Sequence, residues 1–332
     1  MKNTVTHFAG VPLGASSFEA LDRLALVEMR PYGMSQGILP SLYSMLRTEG
    51  SLPLSRQAAE QILERPGAPT AIFTGMQIPG YMPVGETDGP VGVAVLAHVL
   101  HEIGHPVTVV VEPEIVPIMR HLLNITMENT EPVRVIASDD SDAYDELETT
   151  AEIAIAIEKL GPNEKGTRHS VGGTAVLTGD DRAGDFFNNL RRRGAFTLGV
   201  GDNGNEIGFG KIAHQARGIV PWGEICRCEC AGGIVTAIGT DVVLPCAVSN
   251  YGAYVVSVSL ACLLEREELL PNPSVISKLV SDAVQHGMVN GAIENDDEFI
   301  GDDGIPLAAV EAFAQLFRTV GTQYFTRVGD HR

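Results

Sequence analysis

Four short segments gather the residue types that act on charged substrates: Gly85-Glu-Thr-Asp-Gly-Pro90, Gly201-Asp-Asn-Gly-Asn-Glu-Ile-Gly-Phe-Gly210, Asp241 followed by Val248-Ser-Asn-Tyr-Gly252, and Asp302-Asp-Gly-Ile-Pro306. Glycines on either side of a carboxylate let the backbone approach a ligand closely, at φ values other residues avoid. Carboxylates that converge on one place repel each other unless a cation neutralises them, and hard oxygen donors of this kind suit Mg2+, Mn2+ or Ca2+. Helix capping accounts for any single acid, because the first two segments precede helix starts. It does not call for Asp202, Asn203, Asn205 and Glu206 within five residues.

Three other patterns resemble known chemistry less well. His101-Glu-Ile-Gly-His105 matches the zinc-metalloprotease motif, which needs both histidines on one helical face. Gly104 reads as that helix's C-cap and Pro106 opens a strand, so the face is expected to be broken, and Thr108 departs from the extended form of the motif. Gly199-Val-Gly201-Asp-Asn-Gly204 matches the dinucleotide fingerprint, but Asp202 and Glu206 put carboxylates where a pyrophosphate needs bare backbone donors. No nucleotide cofactor is expected. Cys226, Cys228 and Cys230 alternate, so that in a strand all three thiols share one face. Lacking C-x-x-C pairs, they read as small buried hydrophobes.

The elements that must position these residues follow from hydrophobic periodicity. Residues 16–65 read as helical and Pro66 closes the region; Thr70–Thr74 is a buried strand, 75–90 a loop, and Val91–Ile103 a helix stopped by Gly104. Pro106–Val111 is the next strand, followed by helix 113–123, strand 132–137, helix 142–160, strand 195–200 and a helix near 206–217. Strands without polar alternation, separated by helices, predict an α/β fold: a largely parallel sheet with helices on both faces. The expected organisation is a helical N-terminal segment, 1–66, packed on an α/β domain, 67–332. The acidic stretches Asp139–Glu148 and Glu294–Asp303 read as solvated surface.

Composition narrows the partners. The 332 residues include 23 Lys and Arg against 42 Asp and Glu, a net charge of −19, and such a field repels phosphate backbones and anionic lipid. Neither nucleic acid nor membrane is an expected partner. Val242 to Leu264 runs 23 residues without a charge, but Pro245, Ser249, Asn250 and Gly252 break it into a strand, a polar turn and a buried helix rather than a span. The opening residues lack the apolar core of a signal peptide, and five cysteines make no disulfide framework. A reducing, cytoplasmic setting is therefore expected, and a homodimer is the base-rate expectation.

Three of the motifs resemble the D-glutamate cyclase family: Gly-Glu-Thr-Asp-Gly-Pro (85–90), Gly-Val-Gly-Asp-Asn-Gly-Asn-Glu-Ile-Gly-Phe-Gly-Lys (199–211) and Val-Ser-Asn-Tyr-Gly-Ala-Tyr (248–254). The likeness runs from about Thr74 to the C-terminus and extends faintly upstream through Arg30-Pro-Tyr-Gly33 and Ala58-Ala-Glu60. It implies a lyase that closes D-glutamate to 5-oxo-D-proline with loss of water. Glu86 and Asp88 match the family's first acidic loop, Asp202, Asn205 and Glu206 its second, Asp241, Ser249 and Asn250 its third region, and Asp303-Gly304 a later Asp-Gly. Asn203 replaces a usual glycine and Tyr251 a common Trp. The stretch that usually reads Glu-Arg-x-Gly and then Asp-Gly is eroded: Glu158-Lys-Leu-Gly161 survives, but Lys165-Gly-Thr-Arg-His-Ser170 lacks the Asp.

For that reaction the density of carboxylates leads to the expectation of a divalent ion (Mg2+ or Mn2+, with Ca2+ also admissible) held by Glu86, Asp88, Asp202 and Glu206, gripping the substrate carboxylate and stabilising the oxyanion. Asp241 or Glu158 takes the amine proton, and Asn205 and Asn250 orient the substrate. Thr87, Asn203, Ser249, Asp303 and Gly304 complete the contacts to an acidic amino acid. Two other classes use the same residues: a metal-dependent phosphoester hydrolase, and a non-catalytic amino-acid-binding module. The second would favour Arg and backbone donors over clustered acids.

Overall fold

The computed structural model describes residues 15–31, 35–78, 80–127, 133–178, 182–291 and 299–326. Its elements in chain order are α1 Ala15–Ala25, α2 Leu39–Leu46, α3 Leu54–Leu63, β1 Thr70–Phe73, α4 Pro90–Glu102, β2 Val107–Val111, α5 Val116–Thr126, β3 Arg134–Ala137, α6 Ser141–Thr150 and β4 Ile153–Ile157. There follow β5 Arg168–His169, β6 Ala175–Val176, α7 Ala183–Arg192, β7 Phe196–Gly201, α8 Ala213–Ala216, β8 Val242–Pro245, α9 Ser249–Leu264, α10 Pro273–Gln285, β9 Gly301–Asp302, β10 Ile305–Pro306 and α11 Leu307–Phe325. The central sheet has the order β3-β2-β1-β4-β7-β8, and every pairing in it is parallel. The expected α/β class is what the chain forms.

Alternation within the strands builds two unlike layers. Ile153, Ile155 and Ile157 of β4 point into one core with Ile72, Val109, Leu198 and Val200, beneath α3, α4 and α9. Ala154 and Ala156 point the other way, and their small side chains leave room for Phe186, Phe187 and Tyr144 from α7 and α6 to pack on Phe73. The N-terminal helices join the first layer through Phe18, Leu21, Leu39, Leu42, Ala58 and Ile62. Of the described helices, none is long and apolar enough to cross a membrane. The uncharged run resolves into β8 and α9, with Ser249 as the first helical residue.

Several expectations need correction. The helix expected over 142–160 ends at Thr150, and Ile153–Ile157 is a central strand. Its sequence, Ala-Glu-Ile-Ala-Ile-Ala-Ile-Glu (151–158), is rich in helix formers, and burial between two layers overrides that propensity. The helix near 206–217 shrinks to a single 3-10 turn and the four residues of α8. In the acidic run 294–303, residues 294–298 lie outside the described residues, but Asp302 and Asp303 are buried rather than solvated. Tyr32 and Gly33 also lie outside the described residues. The His101-to-His105 segment leaves the helix at Glu102 and passes through Gly104 at φ +92. His105 is buried with Nδ1 3.0 Å from the Ala68 carbonyl.

Candidate active site

Strand order reverses between β1 and β4, and in such sheets ligands bind beyond the carboxyl ends of the strands at that crevice. The acids converge there. The loop after β1 carries Glu86, Thr87 and Asp88; Glu158 directly follows β4; Asp202 to Glu206 follow β7; and Ser249 and Asn250 follow β8. The β9–β10 turn adds Asp302 and Asp303. β4 and β7 continue to pair past their ends, with Glu158 N donating to the Val200 carbonyl (3.1 Å) and Ile207 N to that of Lys159 (2.8 Å). That zippering draws Glu158 alongside the 202–206 loop.

Two helix N-termini lock the acidic loop in place. Asp88 accepts from Ser249 N (2.9 Å) and Asn250 N (2.8 Å) at the start of α9. Asn250 reciprocates, its Oδ1 accepting from Gly89 N (3.0 Å) and Gly92 N (2.6 Å) at the start of α4. Its Nδ2 donates to Asp302 Oδ2 (2.8 Å), whose other oxygen accepts from Thr87 Oγ1 (2.7 Å). The exchange satisfies amides that each helix would otherwise leave unpaired. Gly89 makes it possible: it sits at φ +94, and a Cβ there would lie 2.4 Å from Thr74 Oγ1.

Glu86, Asp88, Glu158, Asp202, Asn203, Asn205 and Asp303 line one cavity of about 420 Å³, closed on the other side by Met76, Tyr81, Ser170, Val171, Gly172 and Thr174. Ser249 Oγ donates to Glu158 Oε2 (2.6 Å) from behind the wall. Glu206, fully buried, turns to accept from Gly204 N (2.8 Å) and Asn203 N (3.1 Å). Asp88, Asp202 and Asp303 can each place an oxygen within 4.8 Å of one another, and so can Glu158, Asp202 and Glu206. Glu158 and Asp303 both hold left-handed backbone at φ +49, a cost that over-determined functional loops carry.

Electrostatics is the unusual part. Burial first, then the neighbouring acids, push Glu86, Asp88, Glu158, Glu206 and Asp303 well above the usual carboxylate range. Arg30 enters from the segment after α1 and pairs with Asp202, with Asp303 at 3.5 Å. Burial works against its charge, but Asp202, Asp303 and Asp88 together hold it protonated. Among the described residues, three buried acceptors have no partner: Glu86 Oε1, Asn203 Oδ1 and Asn205 Oδ1. Hard oxygens, two triads whose oxygens each lie within 4.8 Å of one another and orphaned acceptors fit a divalent cation.

Of the residues singled out from sequence, Glu86, Asp88, Glu158, Asp202, Asn203, Asn205 and Asp303 come together on the cavity. Glu206, Thr87, Ser249 and Asn250 are buried supports, and Gly304 forms the β9–β10 turn at φ +72. Asp241 is elsewhere. It is exposed at the amino end of β8, accepting from Thr197 N (2.9 Å) and Oγ1 (2.8 Å), because a residue preceding a parallel strand lies at the opposite edge from the ligand crevice. Sequence reasoning gave no site role to Arg30, whose only signal was its place in the faint upstream likeness. The eroded segment matters too, since its Ser170 and the adjoining Val171, Gly172 and Thr174 form a wall of the cavity.

The chain belongs to the D-glutamate cyclase-like family: the family model described as "D-glutamate cyclase-like, C-terminal" matches residues 41–315. Human mitochondrial D-glutamate cyclase is 24% identical over 232 residues, covering 64% of this chain and 33% of that protein. The chain thus spans about one third of that relative's length. Among solved structures, RecJ from Thermus thermophilus in complex with Mn2+ aligns over 94% of this chain and 44% of its own at 10% identity, with a TM-score of 0.31. A likeness at that score supports no argument about this chain.

Proposed function

We propose that this chain is a lyase that closes D-glutamate, or a closely related acidic amino acid, to 5-oxo-D-proline and water in the acidic cavity. The observation that carries this reading is the convergence of the family's separate acidic motifs on one cavity at the sheet's reversal point. The family match does not favour phosphoester hydrolysis. In the reaction the amine nitrogen bonds to the γ-carboxyl carbon, a C–O bond breaks, and two protons leave the nitrogen to depart with that oxygen as water. Charge and atoms balance, so the protein needs only to fix the reactive rotamer and relay protons.

Glu158 suits the relay: it lines the cavity, is steadied by Ser249 Oγ at 2.6 Å, and burial and the neighbouring acids raise it well above the usual carboxylate range, which strengthens a carboxylate as a base. Asn203 and Asn205 present buried carbonyl oxygens, unpartnered among the described residues, to the substrate's ammonium. Arg30 partly offsets the acids. A divalent cation held by Asp88, Asp202 and Asp303, or by Glu158, Asp202 and Glu206, would neutralise the remaining charge and polarise a bound carboxylate. The wall from Ser170 to Thr174 is the part of the site best placed to set the exact substrate.

A proton NMR time course tests the reading. Chelator-stripped protein resupplied with Mg2+ or Mn2+ is mixed with D-glutamate in one tube and L-glutamate in another. 5-Oxoproline appearing in the D tube and abolished by EDTA is the expected outcome. No 5-oxoproline from either enantiomer with any ion sinks it.

A further inference from the structure

A second cluster lies outside the acidic cavity. Cys226, Cys228 and Cys230 do not form a strand face: the segment is a succession of turns, which folds the three thiols inward onto one point. Their Sγ atoms stand 3.4 Å (226–228), 3.3 Å (226–230) and 3.4 Å (228–230) apart. All three are free thiols. His169, from the β5–β6 hairpin, caps the triangle, with Nε2 3.3 Å from Cys228 Sγ and 3.4 Å from Cys230 Sγ. All four candidate ligand atoms fall within 4.8 Å of one another. The imidazole is fully buried, and among the described residues its Nδ1 has no hydrogen-bond partner, so the thiols are its polar contacts there. The expectation of small buried hydrophobes holds for Cys226, which is buried in the core, while Cys228 and Cys230 are only partly buried and also face His169 and Asn163.

We propose that His169, Cys226, Cys228 and Cys230 form a structural zinc site that ties the β5–β6 hairpin to the 226–230 turn. A closed set of one imidazole and three thiolates is the signature of a structural rather than a catalytic zinc, which would keep a position open. A tetrahedral zinc with ligands at about 2.3 Å would hold its sulfurs about 3.8 Å apart, a few tenths of an ångström from the spacing already present. Donors to sulfur are in place as well: Asn163 Nδ2 lies 3.5 Å and Gly232 N 3.4 Å from Cys230 Sγ. Such N–H groups stabilise the thiolate that metal binding requires.

The site bears on the cavity through its hairpin. The His169 carbonyl accepts from Asn205 Nδ2 (2.9 Å), and Ser170, Val171, Gly172 and Thr174, which follow His169 directly, line the cavity wall. Zinc therefore fixes the wall without touching the substrate.

The test is zinc content of the full chain, purified under reductant and dialysed against EDTA, by elemental and native mass spectrometry. About one zinc per chain is expected to survive dialysis. The Cys228→Ser plus Cys230→Ser variant is expected to lose it. Because that variant can fail to fold, Asn163→Ala, which keeps all four ligands, is measured in parallel. It should weaken zinc binding about tenfold or more in a competition with a chromophoric chelator. Cobalt substitution of the wild-type protein should give thiolate-to-metal charge-transfer bands. Asp202→Asn should keep its zinc, which separates this metal from any ion in the acidic cavity. Five titratable thiols and no zinc after zinc-supplemented expression would overturn the proposal. So would a disulfide among the three cysteines in freshly reduced protein, or zinc retained undiminished in the double serine variant.

Discussion

The acidic cavity and the thiol cluster share the 163–176 region yet are built on opposite principles. The cavity draws its groups from segments as far apart as Arg30, Glu86, Glu158, Asp202 and Asp303, and its donors are hard oxygens held in buried surroundings that disfavour their charge. The thiol cluster comes from one short turn plus one histidine, and its donors are soft. In the cavity the chain supplies part of the neutralising charge itself, through Arg30. At the thiols the groups brought together are one imidazole and three sulfurs. On the two proposals, the first arrangement would hold an ion through hard oxygens and the second through a closed set of sulfur and nitrogen donors.

The largest effect expected from breaking this contrast is on chemistry. Glu158→Gln keeps an acceptor for Ser249 Oγ but cannot carry a proton, so kcat for D-glutamate cyclisation should fall about 10²–10⁴-fold with KM little changed. A kcat within a factor of a few of wild type would remove Glu158 from the relay. Next comes Arg30→Met. It strips the guanidinium from Asp202 and Asp303, and removing one partner of a buried pair costs about 3–5 kcal/mol. Urea denaturation in EDTA at neutral pH should show that loss, and Mn2+ should recover part of it. No loss would mean that the acids around Arg30 are neutral in the folded chain.

A third effect is graded with pH. Glu86, Asp88, Glu158, Glu206 and Asp303 sit well above their ordinary 3.8 to 4.5 when folded. The native state therefore holds more protons than the unfolded one above about pH 4, and stability falls as pH rises. For chelated protein, the denaturation midpoint should drop as pH rises above the ordinary carboxylate range, from about pH 4 upward. Saturating Mg2+ or Mn2+ should flatten that slope, because the ion replaces the protons. A midpoint that rises with pH in EDTA would show that Arg30 alone compensates the cluster.

How much of this was legible in the sequence depends on the distance over which each feature is specified. The acidic loops were readable because Glu86 with Asp88, and Asp202 with Glu206, are local patterns at strand ends. The reading failed at Ile153–Ile157, where alternating Ile and Ala satisfy both a helix and a two-faced strand, and only the layers above and below decide. It failed at Arg30, because an ion pair across 172 positions leaves no local mark. It failed at the cysteines for a related reason: their fourth donor, His169, lies some 57 residues upstream of the first, and spacing rules built on paired cysteines pass over a C-x-C-x-C turn.

Asp241 is the residue on which motif and geometry part most clearly, and it gives the smallest and sharpest prediction. By motif it belongs with the catalytic acids; in the fold it lies at the amino edge of the sheet, joined to Thr197 by bonds of 2.9 and 2.8 Å and near Arg191 at 3.7 Å. Those bonds pin the start of β8 to β7, and losing one or both costs about 1 kcal/mol. Asp241→Asn should therefore lower the denaturation midpoint slightly while leaving kcat and KM for D-glutamate unchanged. The same substitution at Asp202 should abolish turnover, and the pair separates an acid that matches a motif from one that reaches the substrate. If Asp241→Asn instead lost turnover at full stability, the catalytic centre would have to be sought at the opposite edge of the sheet, away from every acid of the cavity.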